Sequence, residues 1–203
     1  MTKIILRFNY KKAAQALNRL AVKQGGRINK MKAFKLIYLA DRYHFRKYGR
    51  LITNDNYVAM KNGPVPSQTR DIVEQTTFIG DEEKEYSDRY IENKGQHDLI
   101  SRATPDDKVF SESDIEALDF AWENFGKYDQ FQLRDIVHKY PDWAKHKEVL
   151  DKKISLSVPM DLDGFFDDPT ASDADKCFAL KEEDKEIRRE YFQDIVEIES
   201  IWR

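Results

Sequence analysis

The sequence has a single cysteine, Cys177, so it can form neither an internal disulfide nor a cysteine-rich zinc site. No run of apolar residues approaches the roughly 18 needed to cross a membrane, and the N-terminal residues do not form a signal-peptide core. Eight glycines and six prolines are too few for a low-complexity linker. These absences favour a soluble, reduced protein of the cytoplasm.

Motifs that bind phosphate, activate a nucleophile or hold a metal are also absent. The chain contains no Gly-x-x-x-x-Gly-Lys, Gly-x-Gly-x-x-Gly or Gly-x-Ser-x-Gly pattern. Its histidines, His44, His97, His138 and His146, do not follow a metal-ligand spacing. We therefore expect no catalytic residue, no metal, no cofactor and no enzymatic activity. A hydrolase that uses His138 with nearby acids stays a third hypothesis, behind the two developed below.

Charge is present in abundance but is unevenly distributed along the chain. Residues 1–70 contain nine lysines and seven arginines against only Asp41 and Asp55, a net charge of +14, and residues 71–203 carry −17. Hydrophobic residues make up 40% of the chain and aromatic residues 12%, which favours a folded domain over a disordered one.

Three interpretations of this basic first third remain open. The bases could neutralise nucleic-acid phosphates, which dominate the affinity of such complexes. They could pair with the acidic remainder inside one fold, or they could form a charged surface for a protein partner. The second predicted helix is too apolar on too many sides to lie exposed in a DNA groove, which disfavours the first interpretation.

Apolar periodicity predicts two helices at the start of the chain. The first begins near Asn9, a suitable N-cap, and ends at the glycine pair Gly25 and Gly26. The second runs from Asn29 to about residue 48 and contains five consecutive apolar residues at 36–40. Such a run leaves little room for a polar face, so this helix is predicted to be the nearly enclosed centre of the domain.

The remaining segments indicate shorter elements. We predict, in order, a strand at 57–60, a turn at 62–64, a helix from 66 to about 80, a charged loop at 81–88, a hairpin over 90–100, helices at 111–125 and 130–140, a Pro- and Asp-rich connection at 158–173, and a helix at 182–202. The expected fold is mainly α (α+β), a helical domain with a small antiparallel β-sheet or hairpin. We expect residues 1–165 to form the domain. Residues 166–203 would be an acidic connection and a helix that packs on that domain or on a partner.

Three motifs in the first half of the chain occur together in one known family. They are the helix Lys35-Leu36-Ile37-Tyr38-Leu39-Ala40, the crossing Gly49-Arg50-Leu51-Ile52-Thr53 and the turn Gly63-Pro64-Val65-Pro66-Ser67. Further on, the predicted helix from Phe131 to Lys139 is followed by Pro141 and Trp143. In these features residues 10–150 strongly resemble the Panacea domain, also called the SocA-like or GepA-like antitoxin domain.

The resemblance implies a bacterial or phage antitoxin of a type II-like toxin–antitoxin system that binds a cognate protein toxin directly. Members neutralise unrelated toxins, including alarmone-synthetase-like and membrane-active ones, and some act as adaptors for proteolysis. Many carry an N-terminal DNA-binding domain, which we expect this chain to lack. The partner would be a toxin protein, with no membrane and no nucleic acid bound. A transcriptional regulator that binds nucleic acid through the basic third is the alternative.

Within the motif block, some side chains are candidates for contact with the partner. Tyrosines have amphipathic rings that suit either the edge of a core or an interface, and residues beside the Gly-Pro turn are expected to be exposed. The candidate partner-binding residues are Tyr43, Tyr48, Arg50, Tyr57, Lys61 and Ser67.

Overall fold

Helices account for most of the chain and the strands are short. The computed structural model describes residues 6–168, 178 and 180–201. The helices are α1 (Tyr10–Lys23), α2 (Lys30–Tyr48), α3 (Ser67–Glu74), α4 (Asp81–Tyr90), α5 (Glu112–Phe125), α6 (Gln130–Val137), α7 (Pro141–Ala144), α8 (Lys147–Asp151) and α9 (Glu182–Ile201). The strands are β1 (Arg27–Asn29), β2 (Tyr57–Met60), β3 (Gly63–Pro66), β4 (Ile91–Lys94), β5 (Asp98–Ser101) and β6 (Ser157–Pro159). The predicted fold class, mainly α with a small antiparallel component, is confirmed.

Helix α2 is the enclosed centre of the domain, as its apolar run predicts. It packs against α1, α5, α6, α9 and strand β3, and its residues 36–40 are almost completely buried. Asn29 caps its start by accepting a hydrogen bond from the backbone N–H of Lys32. Gly49 ends it with φ of 69°, a left-handed conformation that glycine adopts without a steric penalty. Both helix boundaries therefore follow from the local sequence.

The strands form two three-stranded antiparallel sheets, which contact α2 through β1 and β3. One has the strand order β1-β5-β4, and it contains the predicted hairpin as β4 and β5. The other has the order β3-β2-β6, with Ala59 opposite Pro64 in the β2–β3 pair. The strand predicted at 57–60 is confirmed. Strands β1 and β6 are three residues long, too short for the alternation that identifies a strand in sequence.

The charged segment after Gly80 is a helix, so the prediction of a loop at 81–88 was wrong. Its first turn holds three acidic residues, Asp81, Glu82 and Glu83, which stabilise the positive end of the helix dipole. The Glu83 carboxylate accepts a hydrogen bond from the Gly80 backbone N–H at 2.9 Å. Pairs four residues apart, such as Lys84 with Asp88, add to this. A high density of charge thus supports this helix instead of preventing it.

Helix α9 lies against the end of α2. The ring centroids of Phe192 and Phe45 are 4.8 Å apart, and Arg189 Nε lies 2.8 Å from an Asp163 carboxylate oxygen. Tyr191 approaches Gly49 so closely that a Cβ there would lie 2.8 Å from its ring. No helix in the described part of the chain is both long and apolar enough to span a membrane.

Candidate functional site

The positive charge of the first 70 residues is largely neutralised by carboxylates from the rest of the fold. Among the described residues, nine basic side chains of this segment lie within 4.0 Å of an acidic side chain beyond residue 70: Lys12, Arg19, Lys23, Arg27, Lys30, Arg42, Arg46, Lys47 and Arg50. Pairing within the fold therefore accounts for much of the charge asymmetry.

The most deeply buried of these pairs joins α2 to α7. Arg42 Nη1 lies 3.0 Å from Asp142 Oδ1, and both side chains are fully buried. The other Asp142 oxygen accepts a hydrogen bond from the Tyr38 hydroxyl at 2.6 Å, and Arg42 also donates to the Asp167 backbone carbonyl. Burial raises the pKa of Asp142, while Arg42 and the Tyr38 hydroxyl act in the opposite direction. This network joins α2 to α7 within the core, where the Nε atom of Arg42 has no hydrogen-bond partner among the described residues.

Two of the predicted contact residues meet on one carboxylate at the junction of α2 and α5. The hydroxyls of Tyr43 and Tyr48 each donate to Glu116 at 2.5 Å, and Lys47 pairs with the same carboxylate. Hydrogen bonds from Lys47, Tyr43 and Tyr48 lower the pKa of Glu116 to about 2. The Tyr43 ring also stacks on Phe120, with centroids 4.0 Å apart. These tyrosines are half-buried, and their polar ends are occupied within the fold.

The third predicted residue, Arg50, follows α2 in the chain, and its side chain lies against the start of α5 near His44. Arg50 donates to Ser111 and Ser113, and it pairs with the buried Asp114. One ring nitrogen of His44 lies 2.7 Å from the Arg50 carbonyl oxygen, and the other lies 3.0 Å from Ser113 Oγ. Burial lowers the pKa of His44 to about 4, so the ring is neutral near pH 7. The contact between His44 and Ser113 joins α2 to α5. The Arg50 side chain donates a hydrogen bond to the Ser113 hydroxyl.

The remaining three predicted residues lie around the β2–β3 sheet in different environments. Tyr57 is only 2% exposed and donates to the Asp41 carboxylate at 2.8 Å, so its surroundings are the core. Ser67 is half-buried and donates to the Asn56 carbonyl oxygen. Lys61 is exposed and lines a groove on the surface. The structure therefore groups Tyr43, Tyr48 and Arg50 at one end of the domain and separates them from Lys61.

This groove, which we call the α2–α6 groove, lies between the start of α2, the β2–β3 turn and the start of α6. It has a volume of about 860 Å³. Apolar side chains form its floor: Met31, Phe34, Met60, Val65, Phe131 and Leu156. Basic side chains lie around them: Lys30, Lys35, Lys61, Arg70 and His97. Phe131 is 53% exposed and Leu156 is 78% exposed, so this part of the floor is open to solvent, whereas Phe34 and Val65 are buried.

Lys35 lies at the back of the groove in an unusual environment. It is 1% exposed, and its ammonium group donates to the Pro64 carbonyl oxygen at 2.7 Å. Burial lowers the pKa of Lys35 to about 7. Gly63 makes room for this side chain, because a Cβ on Gly63 would lie 3.0 Å from Lys35 Cε and 2.9 Å from Val137 Cγ2. Glycine at the first position of the Gly-Pro motif is thus required by the packing of Lys35 and Val137 as well as by the backbone conformation of the turn.

Among the described residues the histidines do not form a site of their own. His138 stacks on Trp143 with centroids 3.6 Å apart, and burial lowers its pKa to about 4. His97 is exposed, and His44 is enclosed near α5. No group of three or more His, Cys, Asp or Glu side chains in the described ranges is arranged to hold a metal ion.

Sequence reasoning missed most of the groove. Phe131 was assigned to a helix, but its exposure depends on how α6 meets α2. Leu156 lies in a segment without periodicity, and no sequence signal identifies it. Arg70 is one of many basic residues in the first 70. It differs from most of them only in having no carboxylate partner in the described fold, which the sequence does not show. The groove is formed by residues far apart in sequence, which is the reason that it is not visible in the chain alone.

One comparison with known proteins gives a match. A family model described as the SocA-like antitoxin, Panacea domain, matches residues 34–144, slightly more than half of the chain. The matched segment begins within α2 and ends at α7, so it contains the Glu116 junction and most of the α2–α6 groove. No curated protein and no solved structure shows a significant match.

Proposed function

Since this chain belongs to the family of SocA-like antitoxins with the Panacea domain, we propose that it neutralises a protein toxin in the cytoplasm by binding it directly. The single observation that carries this proposal is the family match over residues 34–144. The proposed mechanism is occlusion of the toxin by a folded domain, with no chemical step performed by this chain.

The chemistry of the described residues agrees with binding better than with catalysis. The hydrogen-bonded serine–histidine pair, His44 and Ser113, has a ring whose pKa is lowered to about 4 and a hydroxyl held by Arg50. A general base works best when its pKa lies near the working pH. His138, the residue of the hydrolase hypothesis, stacks on Trp143 and has the same low pKa. Neither ring is suited to accept a proton at pH 7.

Nucleic-acid regulation, the alternative function, receives less support. Binding of a phosphate backbone depends on several accessible bases in a continuous track. Nine bases of the first 70 residues are paired with carboxylates in the described part of the fold. More than half of the basic side chains that motivated this alternative are thus paired with carboxylates of the same chain.

Co-expression with the product of the neighbouring open reading frame tests the proposal. We expect the wild-type chain to restore growth and to co-purify with that product. The destabilised variant Asp142→Ala is the negative control, because it removes the carboxylate that pairs with buried Arg42. If the neighbouring product is toxic and the wild-type chain neither restores growth nor binds it, the proposal is wrong.

Direct occlusion and delivery to a protease are separated with purified components. We expect the purified chain to inhibit the purified toxin at stoichiometric concentration without any protease present. If the two proteins bind but inhibition requires an ATP-dependent protease, the adaptor mechanism replaces occlusion. A gel-shift titration at low salt with a promoter fragment and with tRNA measures the nucleic-acid alternative.

A further inference from the structure

Three basic residues that line the α2–α6 groove, Lys35, Lys61 and Arg70, have no ion pair with an acidic side chain in the described part of the chain. Among the described residues, Lys61 has no hydrogen-bond or ion-pair partner, and Arg70 contacts only Met60 Sδ, at 3.3 Å. Lys35 donates to a backbone carbonyl oxygen. The acidic residues at the groove are Glu74, which reaches Lys30 only at 4.0 Å, and Asp98, which is paired with Arg27. Lys61 and Arg70 therefore leave the accessible part of the groove positively charged, while buried Lys35, whose pKa is lowered to about 7, adds little.

The position of the groove at the start of α2 adds to its positive electrostatic potential. Its wall includes Lys30, Met31 and Lys35 from the first two turns of a 19-residue helix. The start of a helix carries partial positive charge, and acidic side chains normally compensate it. The first turn of α2 has no acidic residue. The helix dipole and the unpaired side chains Lys61 and Arg70 thus act in the same direction, towards a negatively charged ligand.

The floor of the groove is apolar, so a ligand that fills the groove needs apolar groups as well as negative charge. Phe131 and Leu156 expose most of their side chains beside Met31 and Met60. Methionine side chains adapt to different apolar partners, and a large exposed apolar patch with a polar rim is typical of a protein-binding surface. A phosphate backbone would gain nothing from such a floor, so the combination favours a protein segment over nucleic acid.

We propose that the α2–α6 groove is the surface that binds the toxin, through an acidic amphipathic segment. An aromatic or large aliphatic side chain of that segment packs on Phe131, Leu156 and the two methionines. Its carboxylates pair with Lys61 and Arg70. This inference rests on the proposed function, since it takes the toxin as the owner of the segment. The proposal assigns most of the free energy of toxin binding to the groove and not to Tyr43 and Tyr48 at Glu116.

Two pairs of matched variants test the location. Phe131→Ala and Lys61→Glu change exposed side chains in the groove, and Phe78→Ala and Lys108→Glu make the same changes elsewhere. Phe78 is 85% exposed, and Lys108 is exposed and lies outside the groove. All four side chains are at the surface, so we expect melting temperatures equal to that of the wild type.

The readouts are the dissociation constant for the purified product of the neighbouring gene and the restoration of growth. Phe131→Ala should raise the dissociation constant about thirtyfold, the effect of losing one interface hot spot. Lys61→Glu should raise it about tenfold and weaken growth restoration, because a carboxylate then faces carboxylates. The control variants should change it less than about twofold. Unchanged binding by both groove variants, with wild-type binding intact, overturns the inference and leaves the proposed function standing.

A second experiment tests the partner chemistry without the toxin. A phage-displayed library of random dodecapeptides is selected on the immobilised full chain and counter-selected on Phe131→Ala. We expect enriched peptides that combine Asp or Glu with an aromatic or large aliphatic residue, and that lose binding to Lys61→Glu. Enriched peptides that are basic, or that bind both variants equally, overturn the inference. If such acidic peptides are selected while the neighbouring product does not bind, the proposed function fails and the groove assignment holds.

Size-exclusion chromatography with light scattering addresses a second copy of this chain as the occupant. Helix α9 is itself acidic and exposes Ile187, Ile198 and Ile201, so it has the chemistry that the groove would select. A monomer at the concentration of the binding assay supports the toxin as occupant. A dimer that Phe131→Ala dissociates overturns that assignment.

Discussion

The two halves of helix α2 carry similar numbers of basic residues and use them differently. In the second half Arg42, Arg46 and Lys47 each reach a carboxylate from a distant part of the chain. In the first half Lys32 and Lys35 donate to uncharged oxygens, those of Gln24, Gly126 and Pro64. The second half, which we call the closed half, is therefore neutralised within the fold. In the first half only Lys30 reaches a carboxylate, that of Glu74 at 4.0 Å, and burial lowers the pKa of Lys32 and of Lys35. Basic residues of one helix thus bond mainly to carboxylates in its second half and mainly to uncharged oxygens in its first half, where all three lysines are buried.

The difference comes from what packs on each half. The acidic residues of α5 and of the segment from Asp142 to Asp168 lie against the second half of α2. The first half is flanked instead by the β2–β3 turn and by the start of α6, which supply carbonyl groups and apolar side chains. The consequences for stability follow the degree of burial of each charge.

Breaking the buried pair of the closed half should have the largest effect. Asp142→Ala leaves the Arg42 guanidinium buried without its carboxylate, which typically costs about 3–5 kcal/mol. It also removes the acceptor of the Tyr38 hydroxyl. Urea unfolding followed by circular dichroism measures this loss. A variant within about 0.5 kcal/mol of the wild type would show that the pair does not hold α2 to α7.

The wall of the groove depends on Gly63, and filling this position should have the next largest effect. Its φ is 104°, and a Cβ would lie 2.9 Å from Val137 Cγ2. We expect Gly63→Ala to cost about 2–4 kcal/mol from backbone strain and overpacking. Gly95→Ala is the matched control, because Gly95 also has positive φ, 64°, but nothing lies within 4 Å of its Cβ position. Equal losses for the two variants in thermal unfolding would exclude the packing argument.

The buried histidine of the closed half should make stability depend on pH. The pKa of His44 is lowered by burial to about 4 from an ordinary value of 6.5. Between these values the unfolded chain binds a proton that the folded chain does not, so this contribution to stability is complete above pH 6.5 and is lost as the pH falls towards 4. The stability advantage of the wild type over His44→Asn should shrink by up to about 1.4 kcal/mol per pH unit in this range.

Comparison with this variant isolates one residue, because other groups contribute to the same range. Burial raises the pKa of Asp41 to about 7, so its contribution has the opposite sign and decreases stability as the pH rises from 3.8 to 7. It is common to wild type and variant, and it cancels in their difference. A difference that stays constant from pH 4 to pH 7 would contradict the neutral state of His44 in the fold.

The exposed edge of the closed half should give the smallest effect. Glu116 pairs with Lys47 and accepts hydrogen bonds from Tyr43 and Tyr48, but it is 41% exposed. Surface ion pairs contribute about 0–1 kcal/mol, so Glu116→Gln should cost at most about 1 kcal/mol, less in high salt. Urea unfolding at low and high ionic strength measures both values. A loss above that of Asp142→Ala would show that burial does not rank the pairs.

Prediction from the sequence was most successful where local signals are strong. The caps Asn29 and Gly49 and the apolar run between them were sufficient to delimit α2 and to place it at the centre. The prediction of a loop at 81–88 was wrong, because the order of its charges, acidic first and basic later, favours a helix. The candidate contact residues remain predictions. The structure gives Tyr57 a buried position and Lys61 an exposed one.

The sequence by itself determined the fold class, the central helix, the motifs of the family and the imbalance of charge between its two parts. Each of these follows from neighbouring residues or from composition, since helix caps, periodicity and charge counts are local properties. Only the tertiary structure decided which bases meet carboxylates and which do not. That outcome depends on distances between residues separated by up to 122 positions, such as Arg46 and Asp168. The charge asymmetry between residues 1–70 and 71–203 is therefore partly neutralised by ion pairs across the fold, and Lys61 and Arg70 in the groove stay without a carboxylate among the described residues.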